Sequence, residues 1–100
     1  MEKMKHHFFI VYDFEKDKRR AKCVKILEKY GIRVQYSIFE FYLTEARKIE
    51  LISWLDDDKF LEDRKGEAFM ILPVSKDCAK KIRRFGKTVD VIDKPCIVSL

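Results

Sequence analysis

The chain has few backbone breakers, with three glycines and two prolines in 100 residues, which excludes a disordered or loop-rich scaffold. Its three cysteines, Cys23, Cys78 and Cys96, are an odd set without close spacing. No C-x-x-C pair is available for zinc, and the two histidines, His6 and His7, are adjacent rather than at ligand spacing. Cys23 and Cys78 fall inside helical apolar patterns, where a free cysteine behaves as a small buried hydrophobe. A reducing, cytoplasmic setting is the expectation. The apolar run behind the basic opening "MEKMKHH" stops at Asp13, too short for a signal peptide or a membrane span. Glycine-rich phosphate loops, serine nucleophile elbows and metalloprotease helix motifs are missing, as are repeats and linkers.

What the chain does contain is apolar and basic. Hydrophobic residues make up 47% of it, including eight Phe and four Tyr, enough for one real core. The net charge of +5 favours a polyanionic partner but also suits an ordinary solubilising surface.

The pattern along the chain alternates between two periods. His7–Tyr12 is a continuous apolar run, as in a central strand covered on both faces. From about Asp17 to Tyr30, apolar residues recur at helical spacing, and Gly31 stands where a helix commonly stops in a left-handed residue. "IRVQYSIFEFYL" is β-branched and aromatic, with a break expected near Gln35–Tyr36 and Phe39, Phe41 and Leu43 on one face. Thr44 is a fair N-cap for a second helix with an apolar stripe of Ala46, Ile49, Ile52 and Leu55. Ala68–Val74 reads as another buried strand, with Pro73 marking an edge or terminus. "SKDCAKKIRRFG" reads as a short third helix capped by Ser75 and stopped at Gly86, with two apolar pieces after it. The order β-α-β-β-α-β predicts an α+β, ferredoxin-like domain with an antiparallel sheet over residues 1–87, ending in that short helix. Residues 88–100 are expected to form a strand extension. Both helices lie on one face of such a sheet, so its aromatic second face needs a partner, and a two-fold homodimer is the simplest.

The candidate chemistry gathers where "FFIVYDFEKDKRR" passes from strand to helix. Asp13 is either a helix-start residue that favours the dipole or a functional carboxylate at the end of a central strand. In a dimer with Asp13 near the axis, one carboxylate becomes two, and such a pair suits a hard divalent cation. Cations crowd the first helix and its exit, among them Arg19, Arg20, Lys22 and Arg33, and a second group fills the third helix. Half of them are explained as a solvated face, but both runs hold few acids. Arg19, Arg20 and Arg33 are read as phosphate donors. The aromatics Tyr36, Phe39, Phe41 and Tyr42 either stack bases or pack in the core or a dimer interface, the second fate being the commoner. His6 and His7 read as strand-edge residues.

"VYDFEKDKRRAKCVKILEKYGIRVQYSIFE" resembles the Cas-two family of small CRISPR-associated proteins, through "VYD", "DKRR", "LEKYG" and "RVQYSIFE" in register. The match is close over about the first 55 residues and beyond them is one of size and strand order. The resemblance implies a ferredoxin-like homodimer acting in spacer acquisition, with Asp13 of each chain facing its mate. It implies a metal-dependent endonuclease on RNA or DNA, with Mg2+ or Mn2+ bridging the Asp13 pair and Asp13 as metal ligand. Tyr12 joins Asp13 as a catalytic residue, and Arg20, Arg33 and Phe39 are implied as neighbours that orient substrate or metal. Lys22 stands where the family has a basic or polar residue. Residues 88–100 would pair with the partner protomer's sheet. The alternatives are a non-catalytic DNA-binding adaptor that bridges the Cas-one integrase, or a toxin ribonuclease of the VapD kind.

Overall fold

The computed structural model describes residues 4–86. The expected strand extension, Lys87 and Cys96 lie outside them. Strand β1 (Lys5–Phe14) leads into helix α1 (Asp17–Glu28), followed by strands β2 (Ile32–Gln35) and β3 (Ile38–Thr44). Helix α2 (Glu45–Asp57), strand β4 (Glu67–Pro73) and the short helix α3 (Lys76–Lys80) complete the order. The sheet is antiparallel in the order β2-β3-β1-β4, the ferredoxin-like arrangement expected of the α+β reading.

Strand alternation separates two faces. Phe8, Ile10, Tyr12 and Phe14 of β1 pack with Phe39, Phe41 and Leu43 of β3 against Cys23, Ile26 and Leu27 of α1 and Leu51 and Leu55 of α2. The opposite face carries His7, Phe9, Val11 and Asp13 of β1 beside Ile38, Glu40 and Tyr42 of β3, with Met70 and Leu72 of β4. The break near Gln35–Tyr36 is a tight turn at Tyr36–Ser37, and a register shift between Arg33 and Gln35 re-aims the strand just before it.

Several sequence expectations change. The stripe of α2 is Leu51, Leu55 and half-buried Ile52; Ala46 and Ile49 face outward, because the packed surface follows an i, i+4 pair one turn later. β4 is an edge strand whose residues are only partly covered, not a buried one. Ser75 does cap α3, its hydroxyl accepting from the Cys78 amide at 3.1 Å, but the helix ends at Lys80, well before Gly86. Cys78 is exposed, not buried, whereas Cys23 is buried as expected. Burial pushes the Cys23 thiol up to about 12, which keeps it an inert hydrophobe. Gly31 is not left-handed. A Cβ there would lie 2.6 Å from the Glu40 carbonyl and 2.5 Å from the Phe41 ring, so close approach of backbone to β3 explains the glycine.

Candidate functional site

β1 runs between β3 and β4. Its β3 ladder ends at Val11, and beyond it Asp13 and Phe14 are paired with β4 alone, while the Tyr12 amide still reaches the Ser37 carbonyl on the other side. Alternation then sends Tyr12 and Asp13 to opposite faces. The Asp13 side chain stands exposed on the open face opposite Ala68, where its carboxylate makes no hydrogen bond or ion pair with the described residues. Tyr12 is buried; its hydroxyl donates to the Tyr36 carbonyl at 3.1 Å and its amide to the Ser37 carbonyl at 3.1 Å. Burial raises the phenol above its ordinary value, and the Arg33 guanidinium opposes that shift. Tyr12 therefore braces the β2–β3 turn and keeps its hydroxyl away from Asp13's face.

The cations divide by how fully the fold engages them. Arg19 is spent inside the chain. Its Nε and Nη2 donate to the Glu67 carboxylate at 2.6 and 3.0 Å, its Nη1 donates to the Asp58 carbonyl at 2.9 Å, and it stacks 4.0 Å above the Phe60 ring. The sequence expectation of a phosphate donor there gives way to a clamp between α1, the α2–β4 loop and β4. Arg20 is aimed differently: Nη2 donates to the Phe14 carbonyl at 2.8 Å, while Nη1 pairs with exposed Asp17 of the same helix turn. The guanidinium is held at the end of β1 and its solvent side stays reachable. Hydrogen bonding to Asp17 raises its pKa, with smaller support from Tyr36 and Asp13, so these groups lie within its field. Lys22 pairs with Asp58 at 3.1 Å across α1 and α2's end. Arg33 lies over the Phe39 ring at 5.4 Å and within 3.5 Å of the Tyr12 hydroxyl; its Nε is buried without an acceptor among the described residues.

Phe39 is fully buried between Tyr12 and Phe41, so it is a core residue and has no face to offer a base. Phe41 shares that fate, and Tyr42 is half-buried against His7. Of the four sequence candidates for stacking, only Tyr36 is open, at 72% exposure. The acids missing from the two basic runs are supplied from elsewhere in the fold: Glu67 for Arg19, Asp58 for Lys22 and Glu40 for Arg84.

The open face also holds a buried polar cluster that sequence reasoning missed. His7, expected at a strand edge, is buried on the central strand with Nε2 2.6 Å from the Glu40 carboxylate. Arg84, beyond α3, crosses this face and donates to the same Glu40 oxygen at 2.8 Å. A single glutamate inside the apolar run "IFEFYL" was the available signal, since a buried carboxylate needs donors. Arg84 and Phe85 thereby roof a groove of about 390 Å3 floored by Phe9, Val11, Ile38 and Leu72.

A hard divalent cation takes several oxygen ligands. No group of three metal-ligating side chains exists among the described residues; of the two carboxylates on the open face, Glu40 is buried and engaged by His7 and Arg84, and Asp13 is the exposed one. The donor type fits; the donor number of one chain is only part of a ligand set.

The fold and site together define a class: a ferredoxin-like domain that fixes one exposed carboxylate, flanked by an arginine, at the end of its first strand. Comparison with known proteins narrows it. Residues 6–82 match the family model described as CRISPR associated protein Cas2. A relative from Methanospirillum hungatei, called CRISPR-associated endoribonuclease Cas2 2, is 36% identical over 78 residues, covering 78% of this chain and 83% of its own. A relative from Thermus thermophilus, called CRISPR-associated endonuclease Cas2 2, is 33% identical over 76 residues, covering 76% of this chain and 70% of its own. Among solved structures, a chain of one described as a partial Cas6-RT-Cas1–Cas2 complex is similar with a TM-score of 0.57 and 35% identity, covering 75% of this chain and 84% of that one. The chain belongs to the Cas2 family of CRISPR-associated proteins.

Proposed function

We propose that this protein works in CRISPR spacer acquisition as a homodimeric, metal-dependent endonuclease on RNA or DNA. The observation that carries the reading is Asp13: a carboxylate without a hydrogen-bond or ion-pair partner among the described residues, held by pairing with Ala68 of β4 just past the end of the β1–β3 ladder, on a face whose apolar residues need a cover. Two copies meeting through that face bring two Asp13 carboxylates together as ligands for Mg2+ or Mn2+. When bound, that ion supplies charge neutralisation at the phosphodiester and a more acidic water. The chain's own residues do the rest. Arg20, anchored through the Phe14 carbonyl, holds a phosphate oxygen beside the strand end. Lys22 and Lys18 add to the field that draws the backbone in. Tyr12 and Arg33 act at one remove, by fixing the turn that borders the site.

A second reading is favoured by the likeness to a chain of a Cas1–Cas2 complex. On this reading the dimer is an adaptor that binds DNA through its basic surface and docks the Cas1 integrase, with no turnover required.

The purified dimer and its Asp13→Asn variant separate the two. For the endonuclease, cleavage of labelled RNA or DNA in Mg2+ or Mn2+ falls by at least about a hundredfold in the variant, at unchanged dimerisation. Equal cleavage by both preparations rejects the catalytic role and leaves the adaptor.

A further inference from the structure

We infer that Tyr36 is the nucleobase-stacking residue of this site, and that the strand it acts on is unpaired at that position. The inference rests on the nucleic-acid reading above and adds to it a residue and a substrate form.

Exposed single aromatics are ordinary. What sets Tyr36 apart is how it is held. It sits at the tip of the two-residue turn between β2 and β3, where exposed backbone is usually free to move. Here the turn is tied down from beneath. The buried Tyr12 hydroxyl donates to the Tyr36 carbonyl at 3.1 Å, and the Tyr12 amide donates to the next carbonyl, that of Ser37, at 3.1 Å. Arg33 closes on the Tyr12 hydroxyl from the other side and lies over Phe39. So the backbone of Tyr36 is fixed through buried groups while the residue remains 72% exposed. That is a large, solvent-facing aromatic on an anchored backbone, with only two side-chain torsions to order when a flat partner stacks on it.

Its location supplies the partner. Tyr12, which holds the turn, is the residue before Asp13, so the turn borders the end of β1 that bears the carboxylate. Arg20, anchored on the Phe14 carbonyl, lies in electrostatic reach of both Tyr36 and Asp13. A cation for phosphate and an aromatic for a base, both at this end of β1, are the two elements with which proteins grip single-stranded nucleic acid. A paired duplex buries its base faces within the stack, so only an unpaired nucleotide can use the ring.

The test uses the full-length dimer in an Asp13→Asn background, which reads binding without cleavage. Binding of an end-labelled single-stranded RNA is followed by fluorescence anisotropy, together with the same RNA carrying one abasic nucleotide and its fully paired duplex. The abasic position is set next to the cleavage position mapped with the unmutated dimer. Tyr36→Ala is expected to weaken the intact single strand about tenfold. It should have no further effect on the abasic strand or on the duplex, and Tyr36→Phe should bind as the parent does. Equal loss on intact and abasic strands overturns the stacking role, and so does an unchanged affinity for the intact strand. If Tyr36→Ala instead shifts the dimer towards monomer in sedimentation, Tyr36 is an interface residue and the inference fails. Failure of both the parent and the variant to bind the single strand or the duplex, as RNA or as DNA of the same sequence, overturns the nucleic-acid reading itself, and this inference with it.

Discussion

Arg19 and Arg20 are consecutive in sequence, carry the same charge and begin the same helix, yet the fold separates their duties. Arg19 satisfies Glu67, two backbone carbonyls and the Phe60 ring, whereas Arg20 spends one nitrogen on a backbone anchor and one on an exposed aspartate. Arg19→Gln should therefore lower unfolding stability by about 2 kcal/mol at neutral pH, the range for a charged, partly buried hydrogen-bonded pair. Arg20→Gln should leave stability nearly unchanged but weaken nucleic-acid binding and reduce its salt slope by about one. The Arg19 effect has a pH signature. Hydrogen bonding from Arg19 holds the Glu67 carboxyl below its ordinary 4.5, so the pair's contribution is fully present above that pH and is lost as pH falls through the lower folded value. The stability gap between parent and Arg19→Gln should then be widest at neutral pH and close in acid, below 4.5. A gap that persists unchanged into strong acid would assign the loss to packing on Phe60 instead.

Among the elements, the strands and the long helices were legible because their signals are local. Helical spacing through Leu27, the alternation of Phe39, Phe41 and Leu43, and the Thr44 cap all fall within a few residues, and Thr44 does accept the Arg47 amide at 3.3 Å. Asp13 was legible for the same reason: a charge directly after an apolar run marks a strand end. What could not be read were facts created by long-range pairing. Phe39 looked available until β3 proved to turn it onto the helices, and Arg19 looked free until β4 brought Glu67 to it from 48 residues away. Likewise His7 and Glu40 are 33 residues apart and Arg84 another 44 beyond Glu40. That last cluster ties the segment after α3 to the open face, and its members should respond unequally. Arg84→Met leaves the Glu40 carboxylate buried without its guanidinium and should cost on the order of 3 kcal/mol. Glu40→Gln frees Arg84, itself one-fifth exposed, to turn towards water, and should cost less. Hydrogen exchange around residues 82–86 and denaturant melts of the two variants check this; a loss below about 1 kcal/mol on Arg84→Met would show that Arg84 contributes no more than a surface contact.

At the scale of the molecule, the proposed function makes the site depend on what covers the open sheet face. Helices cover one side of a ferredoxin-like sheet, and here the other side shows Met70 at 54% and Leu72 at 41% exposure beside the groove roofed by Arg84 and Phe85. Apolar area of this kind is stabilised by burial against a second surface at roughly 25 cal/mol per Å2. On the proposed function the second surface is another copy, and the same contact that buries Met70 and Leu72 brings the second Asp13. Oligomeric state and chemistry are then one property. Met70→Lys with Leu72→Lys, both on edge strand β4 and paired with Val11 and Phe9 rather than with Asp13, should leave the circular dichroism unchanged and the monomer's melting cooperative. The same double variant should sediment as a monomer and lose metal-dependent cleavage about as completely as Asp13→Asn does, because a lone carboxylate cannot assemble the ligand set. Full cleavage by a variant shown to be monomeric would break that coupling and place the catalytic ligands within one chain.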